Sequence, residues 1–128
     1  MKLVDTVAII GFLNPKDRAH ERSMEHLRRV SSEEAVFVPA VSLIETDLVM
    51  KLRGYGDSER QTSWRALESE IPANKVIPNS VSSIYHAVEL QKQGMDFLDS
   101  LVASLAKETG SIVITTDRRI EDVVETEW

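Results

Sequence analysis

Between Gly94 and Asp117 the chain reads GMDFLDSLVASLAKETGSIVITTD, a helix followed by a buried strand with acidic groups at both ends. Leu98, Leu101, Val102 and Leu105 recur at i, i+3, i+4 and i+7, the spacing of one apolar helix face. Gly110 suits a left-handed cap that ends this helix. The run through Ile112, Val113 and Ile114 then predicts a short buried strand, closed by Thr115-Thr116-Asp117. A helix that feeds at once into a buried strand is the unit of a parallel sheet covered by helices.

The rest of the chain repeats the alternation. Lys2-Leu3-Val4 is a short strand cut off by Asp5-Thr6, and Val7, Ile9, Ile10 and Leu13 predict a helix ending at Asn14-Pro15. A second helix is expected from Asp17 to Ser32, with Met24, Leu27 and Val30 inward and both His20 and His26 at the surface. Residues 35–38 form the second strand, and Pro39 suits the start of a helix over residues 40–52. Val41, Ile44, Leu48 and Leu52 are expected on its inward side. Gly54-Tyr55-Gly56 breaks the chain before a helix from Asp57 to about Glu70, which carries Trp64 and Leu67. Arg60, Trp64 and Arg65 offer a plane for a nucleotide to stack on, although packing on the domain or on a second copy explains the Trp more simply. Residues 75–78 form the third strand. Asn79-Ser80 opens a helix with Val81, Ile84, Tyr85 and Val88 on one face, and after Asp117 a short helix turns Ile120, Val123 and Val124 inward. With no repeat, linker or low-complexity tract, one domain is expected over residues 1–128. Its fold class is α/β, three layers (α/β/α) around a parallel sheet of four to five strands.

Composition narrows the chemistry. Without cysteine there are no disulfides or thiolate metal sites, and three scattered histidines do not build an imidazole site. A net charge of −6 argues against coating nucleic acid through a broad basic surface, but not against nucleic acid as a substrate. Apolar runs of only a few residues predict no membrane span. Lys2 runs straight into strand-like sequence rather than a leader, so a cytoplasmic location is expected.

The acidic residues divide by their neighbours. Asp47 has Lys51 at i+4, which accounts for it as a surface ion pair. Glu45 has Val41, Ser42, Leu48 and Val49 around it, so its carboxylate needs a partner from elsewhere, a distant arginine or a metal. Asp99 is flanked by Met95, Asp96, Val102 and Ala103, with no base in reach and a like charge one turn earlier. Asp96 itself reads equally well as a residue favouring a helix N-terminus. Asp5 stands where a strand hands over to a helix. Either it or Thr6 is an N-cap, or Asp5 lies at the carboxyl edge of the sheet, where ligands collect. Asp117 occupies the same edge after the fourth strand, and the helices bearing Glu45 and Asp99 can reach it. Four carboxylates meeting there without bases would require cations. Oxygen-only ligation suits Mg²⁺ or Mn²⁺, and such a site makes hydroxide from water and stabilises charge on a phosphodiester; two ions about 3.5–4 Å apart do both. Thr115, or Thr6, would steady a carboxylate or a water by hydrogen bond.

Four segments in order resemble the PIN-domain nucleases, and among them the small prokaryotic VapC toxins. They are VDT at Val4–Thr6, VPAVSLIE at Val38–Glu45, DSLVASLAKETG at Asp99–Gly110 and VITTD at Val113–Asp117. The resemblance covers essentially the whole chain. It implies a PIN-like fold and an endoribonuclease dependent on Mg²⁺ or Mn²⁺. Asp5, Glu45, Asp99 and Asp117 match the family's acidic quartet, and Thr115 matches its Ser/Thr two residues before the last Asp. The resemblance further implies an RNA substrate, a homodimer, and silencing by a VapB-type antitoxin whose tail reaches the acidic site. Three features depart from the pattern. Val7 replaces a small polar residue, little chain remains for the family's short fifth strand, and Asp96 competes with Asp99 for the helix ligand. Arg53, Arg60, Arg118 and Arg119 are left as scattered bases for RNA. The alternatives are a PIN nuclease in RNA processing outside a toxin pair, or a PIN-like module that binds RNA or protein without cutting. A haloacid-type phosphatase would want Asp at position 7, and a phospho-receiver domain would want adjacent acids after the first strand and a late Lys.

Overall fold

A computed structural model describes residues 1–128. Leu3 and Val4 are both fully buried although successive strand residues point to opposite faces, so β1 (Lys2–Val4) must be covered on both sides. It lies at the centre of a five-stranded sheet, flanked by β2 (Val36–Pro39) and β4 (Ile112–Ile114). β3 (Val76–Ile77) and β5 (Thr126–Glu127) form the edges, giving the order β3-β2-β1-β4-β5 with every pairing parallel. The fifth strand is therefore present after all, two residues long, and the residues left beyond Asp117 suffice for it.

Seven helices surround the sheet: α1 (Thr6–Leu13), α2 (His20–Ser32), α3 (Ala40–Leu52), α4 (Asp57–Glu70), α5 (Val81–Lys92), α6 (Phe97–Thr109) and α7 (Arg118–Glu121), with α5 packed on α6. Val4, Val36, Val38 and Ile114 pack with Ala8 and Ile9 of α1, Leu27 and Val30 of α2 and Leu67 of α4 in one apolar layer. Leu3 and Val113 pack with Val102, Leu105 and Ala106 of α6, Val41 of α3 and Ile120 of α7 in the other. The three-layer α/β/α expectation holds. Gly110 ends α6 at φ 65°, the left-handed cap its position implied. No helix is long and apolar enough to cross a membrane.

Several local expectations are corrected. On α3 only Val41 of the four expected apolar residues is buried; Ile44 (67% exposed), Leu48 and Leu52 (78%) face outward. The buried side instead carries Ser42, Thr46 and Met50: the Ser42 hydroxyl donates to Asp5 at 3.5 Å, and that of Thr46 is satisfied within the helix by the Ser42 carbonyl at 2.7 Å. On α5, Val81, Ile84, Tyr85 and Val88 do share a face, and it too is exposed. His26 is 1% exposed, not at the surface: its ring lies 4.8 Å from that of Trp128, a neighbour far away in sequence. His20 is half-buried, with Nδ1 2.8 Å from the Gly11 carbonyl oxygen. α2 begins at His20 rather than Asp17, whose carboxylate accepts from the Ala19 N–H in the preceding turn. Asp47 is held not by Lys51 but by Arg60 (2.8 Å) and the Trp64 indole N–H (2.8 Å). Those two bonds push its pKa down to about 2, Arg60 contributing most. Arg60 and Trp64 are thereby committed to packing α4 on α3.

Candidate active site

The chain leaves β1 in one direction through β2 and β3, and returns on the other side of β1 for β4 and β5. The β1/β4 junction is therefore the switch point of the sheet, the place where open α/β sheets form a crevice beyond their strand ends. Asp5 follows β1 at this point, and its backbone N–H bonds the Ile114 carbonyl of β4 at 3.1 Å. It occupies the N-cap position of α1, yet its side chain caps nothing. The carboxylate instead points into a hydroxyl cradle. Thr115 donates to Oδ2 at 2.9 Å and Ser42 to Oδ1 at 3.5 Å. The Thr115 hydroxyl in turn accepts the Asp117 backbone N–H at 3.1 Å, so one threonine ties the ends of both strands together. Thr6 donates to the Ser42 carbonyl at 3.4 Å, which fixes α3 against the same corner.

Asp5 is 4% exposed, and burial pushes its carboxyl up to about 6. The Thr6 backbone N–H and the Thr115 hydroxyl oppose the rise, while the charges of Glu45 and Asp117 add to it. Asp99, in the first turn of α6, is likewise raised to about 6, first by burial and next by the charge of Asp117. Asp5, Thr6, Glu45, Asp99 and Asp117 line one cleft of about 310 Å³, together with Asp17, Arg53 and Arg119 at its sides. The structure thus brings the four acids of the sequence pattern to one cleft. Asp96 is not among its lining residues: it sits exposed at the N-cap of α6. Thr115 lies buried behind Asp5.

The expectation that no base stands near these acids is wrong. Asp117 caps α7 by accepting the Arg119 backbone N–H at 2.9 Å, and the Arg119 side chain turns back over the cleft. Its Nη2 lies 3.3 Å from Asp117 and 3.5 Å from Asp99, and its Nη1 pairs with Asp96. Asp117 and the other two carboxylates hold the guanidinium above its ordinary pKa, the hydrogen bond to Asp117 most of all. No three Asp, Glu or His side chains are drawn together tightly enough to grip an ion as they stand. The donor set nonetheless fits a hard divalent cation in kind. All its donors are oxygen, and two of them are carboxyls whose ionised forms the protein itself disfavours.

Sequence reading missed Ser42 and Arg119 as members of this corner. Ser42 stands three residues before Glu45 on α3, a hydroxyl in an otherwise apolar stretch. Arg119 stands two residues after Asp117, where a helix N-terminus folds its side chain back. A larger concavity, about 620 Å³, lies between α3 and α4 around Asp47, Arg60 and Trp64, but its charges satisfy one another.

Fold and cleft together define a three-layer α/β protein with buried carboxylates at the switch point of a parallel sheet. The PIN domain profile matches residues 2–125, and the chain belongs to that family. Solved structures share its fold, among them the following three. VapBC2 from Rickettsia felis, bound to a DNA fragment from its promoter, superposes with TM-score 0.73 at 15% identity over 99% of this chain and 98% of that one. FitAcB from Neisseria gonorrhoeae gives 0.74 at 22% identity over 98% and 96%. VapC20 from Mycobacterium tuberculosis, a sarcin-ricin loop cleaving toxin, gives 0.73 at 16% identity over 95% and 94%. No curated protein matches the chain in sequence.

Proposed function

We propose that this PIN-domain protein is a metal-dependent endoribonuclease that hydrolyses RNA phosphodiester bonds, and that it is the toxin of a VapBC-type pair. The observation that carries the nuclease reading is Asp5. A carboxylate buried to this degree, facing Glu45, Asp99 and Asp117, has no structural role that Asn would not fill as well. Asp5, Glu45, Asp99 and Asp117 would hold Mg²⁺ or Mn²⁺, which when bound supplies an activated water and offsets charge on the phosphate. The chain's own contribution is orientation. Thr115 and Ser42 fix the plane of the Asp5 carboxylate, and Thr115 also fixes the main chain at Asp117. The fold likeness to VapBC and FitAcB assemblies supports an antitoxin partner. The exposed apolar stripes of α3 and α5 support a homodimer.

The test is cleavage of end-labelled single-stranded RNA and DNA by purified protein with Mn²⁺, with Mg²⁺ and with EDTA, beside an Asp99→Asn control. Metal-dependent cutting of RNA that the control lacks supports the reading. Equal cutting by the control assigns the activity elsewhere, and absence of both cutting and Mn²⁺ binding leaves a module that binds without catalysis.

A further inference from the structure

Arg119 is the only base that touches the carboxylate cluster, and the manner of its contact is unusual. Its guanidinium reaches three carboxylates from three places in the chain: Asp96 before α6, Asp99 within α6 and Asp117 before α7. Both Nε and Nη2 address Asp117, at 3.3 Å each, while Nη1 turns to Asp96. The side chain is nevertheless 64% exposed, so these ionic contacts, rather than packing, hold it over the cleft. Asp99 and Asp117 are also two of the four acids proposed to hold the cation, so guanidinium and ion need the same oxygens.

We propose that Arg119 is a resident counter-ion of the cleft, which a divalent cation must displace before it binds. The proposal rests on the reading of the four acids as a cation site. With Arg119 in place, the charge of Asp99 and Asp117 is partly neutralised and their oxygens are engaged. The cluster is thereby kept stable without metal, and metal binding is weakened by the contacts given up. A ligand that must first shift a competing conformation shows an affinity reduced by that population. Each ion pair to this exposed guanidinium is individually weak, but the two to Asp99 and Asp117 are surrendered together, and the expected weakening is about tenfold. Once displaced, the side chain stands free at the rim of the cleft beside Arg53, which also lines it.

Arg118 supplies the control. It is the neighbouring residue of the same helix, carries the same charge, is exposed and makes no ion pair. Mn²⁺ binding is followed by electron paramagnetic resonance of the free ion in titrations of the wild-type protein, Arg119→Gln and Arg118→Gln. Arg119→Gln is expected to bind about tenfold more tightly than wild type, and Arg118→Gln to stay within about twofold. If both variants tighten equally, the effect is one of general charge and the proposal fails. If Arg119→Gln binds no better than wild type, Arg119 is not a competitor and the proposal fails while the cation site stands. If neither wild type nor Arg119→Gln binds Mn²⁺, the cation site itself is overturned and the proposal with it.

Discussion

The raised carboxyl of Asp5 makes a stability prediction that needs no substrate. In the folded chain it titrates near 6 against 3.8 for the free side chain, so the folded state holds its proton more tightly than the unfolded state does. The contribution to stability is thus fully present below the unfolded pKa and is lost as pH rises through the folded one. Ionising Asp5 in place costs the metal-free protein about 3 kcal/mol, at 1.36 kcal/mol per pKa unit, and about 2 kcal/mol of this falls between pH 4 and 6.5. Asp5→Asn removes the titration and keeps the cradle. The amide oxygen accepts from Thr115, and the amide nitrogen donates to the Ser42 hydroxyl, which has a free lone pair. Urea unfolding of both proteins in EDTA across that pH range is the assay. The wild type should lose about 2 kcal/mol relative to Asp5→Asn as pH rises, since the other titrating groups are present in both and Asp99, which the Asp5 charge pushes up, is relieved only in the variant. At pH 7.5, Mn²⁺ should raise the unfolding midpoint of the wild type and leave that of Asp5→Asn unmoved. A difference that is flat with pH, or that favours the wild type at high pH, would show that the anion of Asp5 is stabilised where it sits.

Other perturbations test separate parts of the molecule. Thr115→Val deprives Asp5 of a donor and the Asp117 N–H of its acceptor, so it should cost about 1–3 kcal/mol in urea and sharply reduce RNA cleavage, whereas Thr115→Ser should preserve both. Gly11 packs α1 on α2 so closely that a Cβ there would meet the Ser23 hydroxyl oxygen at 2.1 Å. Gly11→Ala should therefore destabilise by about 1–3 kcal/mol, with partial recovery on adding Ser23→Ala, read from thermal melts. Tyr85→Glu on the exposed face of α5 should convert a dimer to a monomer in light scattering with unchanged circular dichroism; a mass unaffected by the change would remove that face from the interface.

What was legible in the sequence was local. The α6–β4 unit could be read because its signals lie within a few residues of one another: a helical apolar stripe, a left-handed glycine and a β-branched run. The acids Asp5 and Asp117 could be placed because the end of a strand in a parallel sheet fixes which edge a residue occupies. The orientation of α3 could not. Its apolar stripe is as regular as a buried one, and the partner that accepts from Ser42 on the inward side, Asp5, lies far away in sequence. His26 failed for a similar reason, since its polar ring is buried by Trp128 at the far end of the chain.

Arg119 shows how the same limit bears on function. Counting neighbours at i±3 and i±4 finds any base within reach of Asp99 along its own helix, but none that arrives from another element. The acidic edge therefore reads as more strongly charged than it is. In the folded chain its residues separate by how they are held. Asp5 is fixed by two hydroxyls and a strand end, all buried, so its geometry depends on residues that cannot move without disturbing the core. Asp96 and Arg119 are exposed and held only by each other and by Asp99 and Asp117. Substitutions around Asp5 should therefore alter the geometry of the site and the stability of the fold together. Substitutions at Arg119 should alter what occupies the cleft and leave the fold as it is.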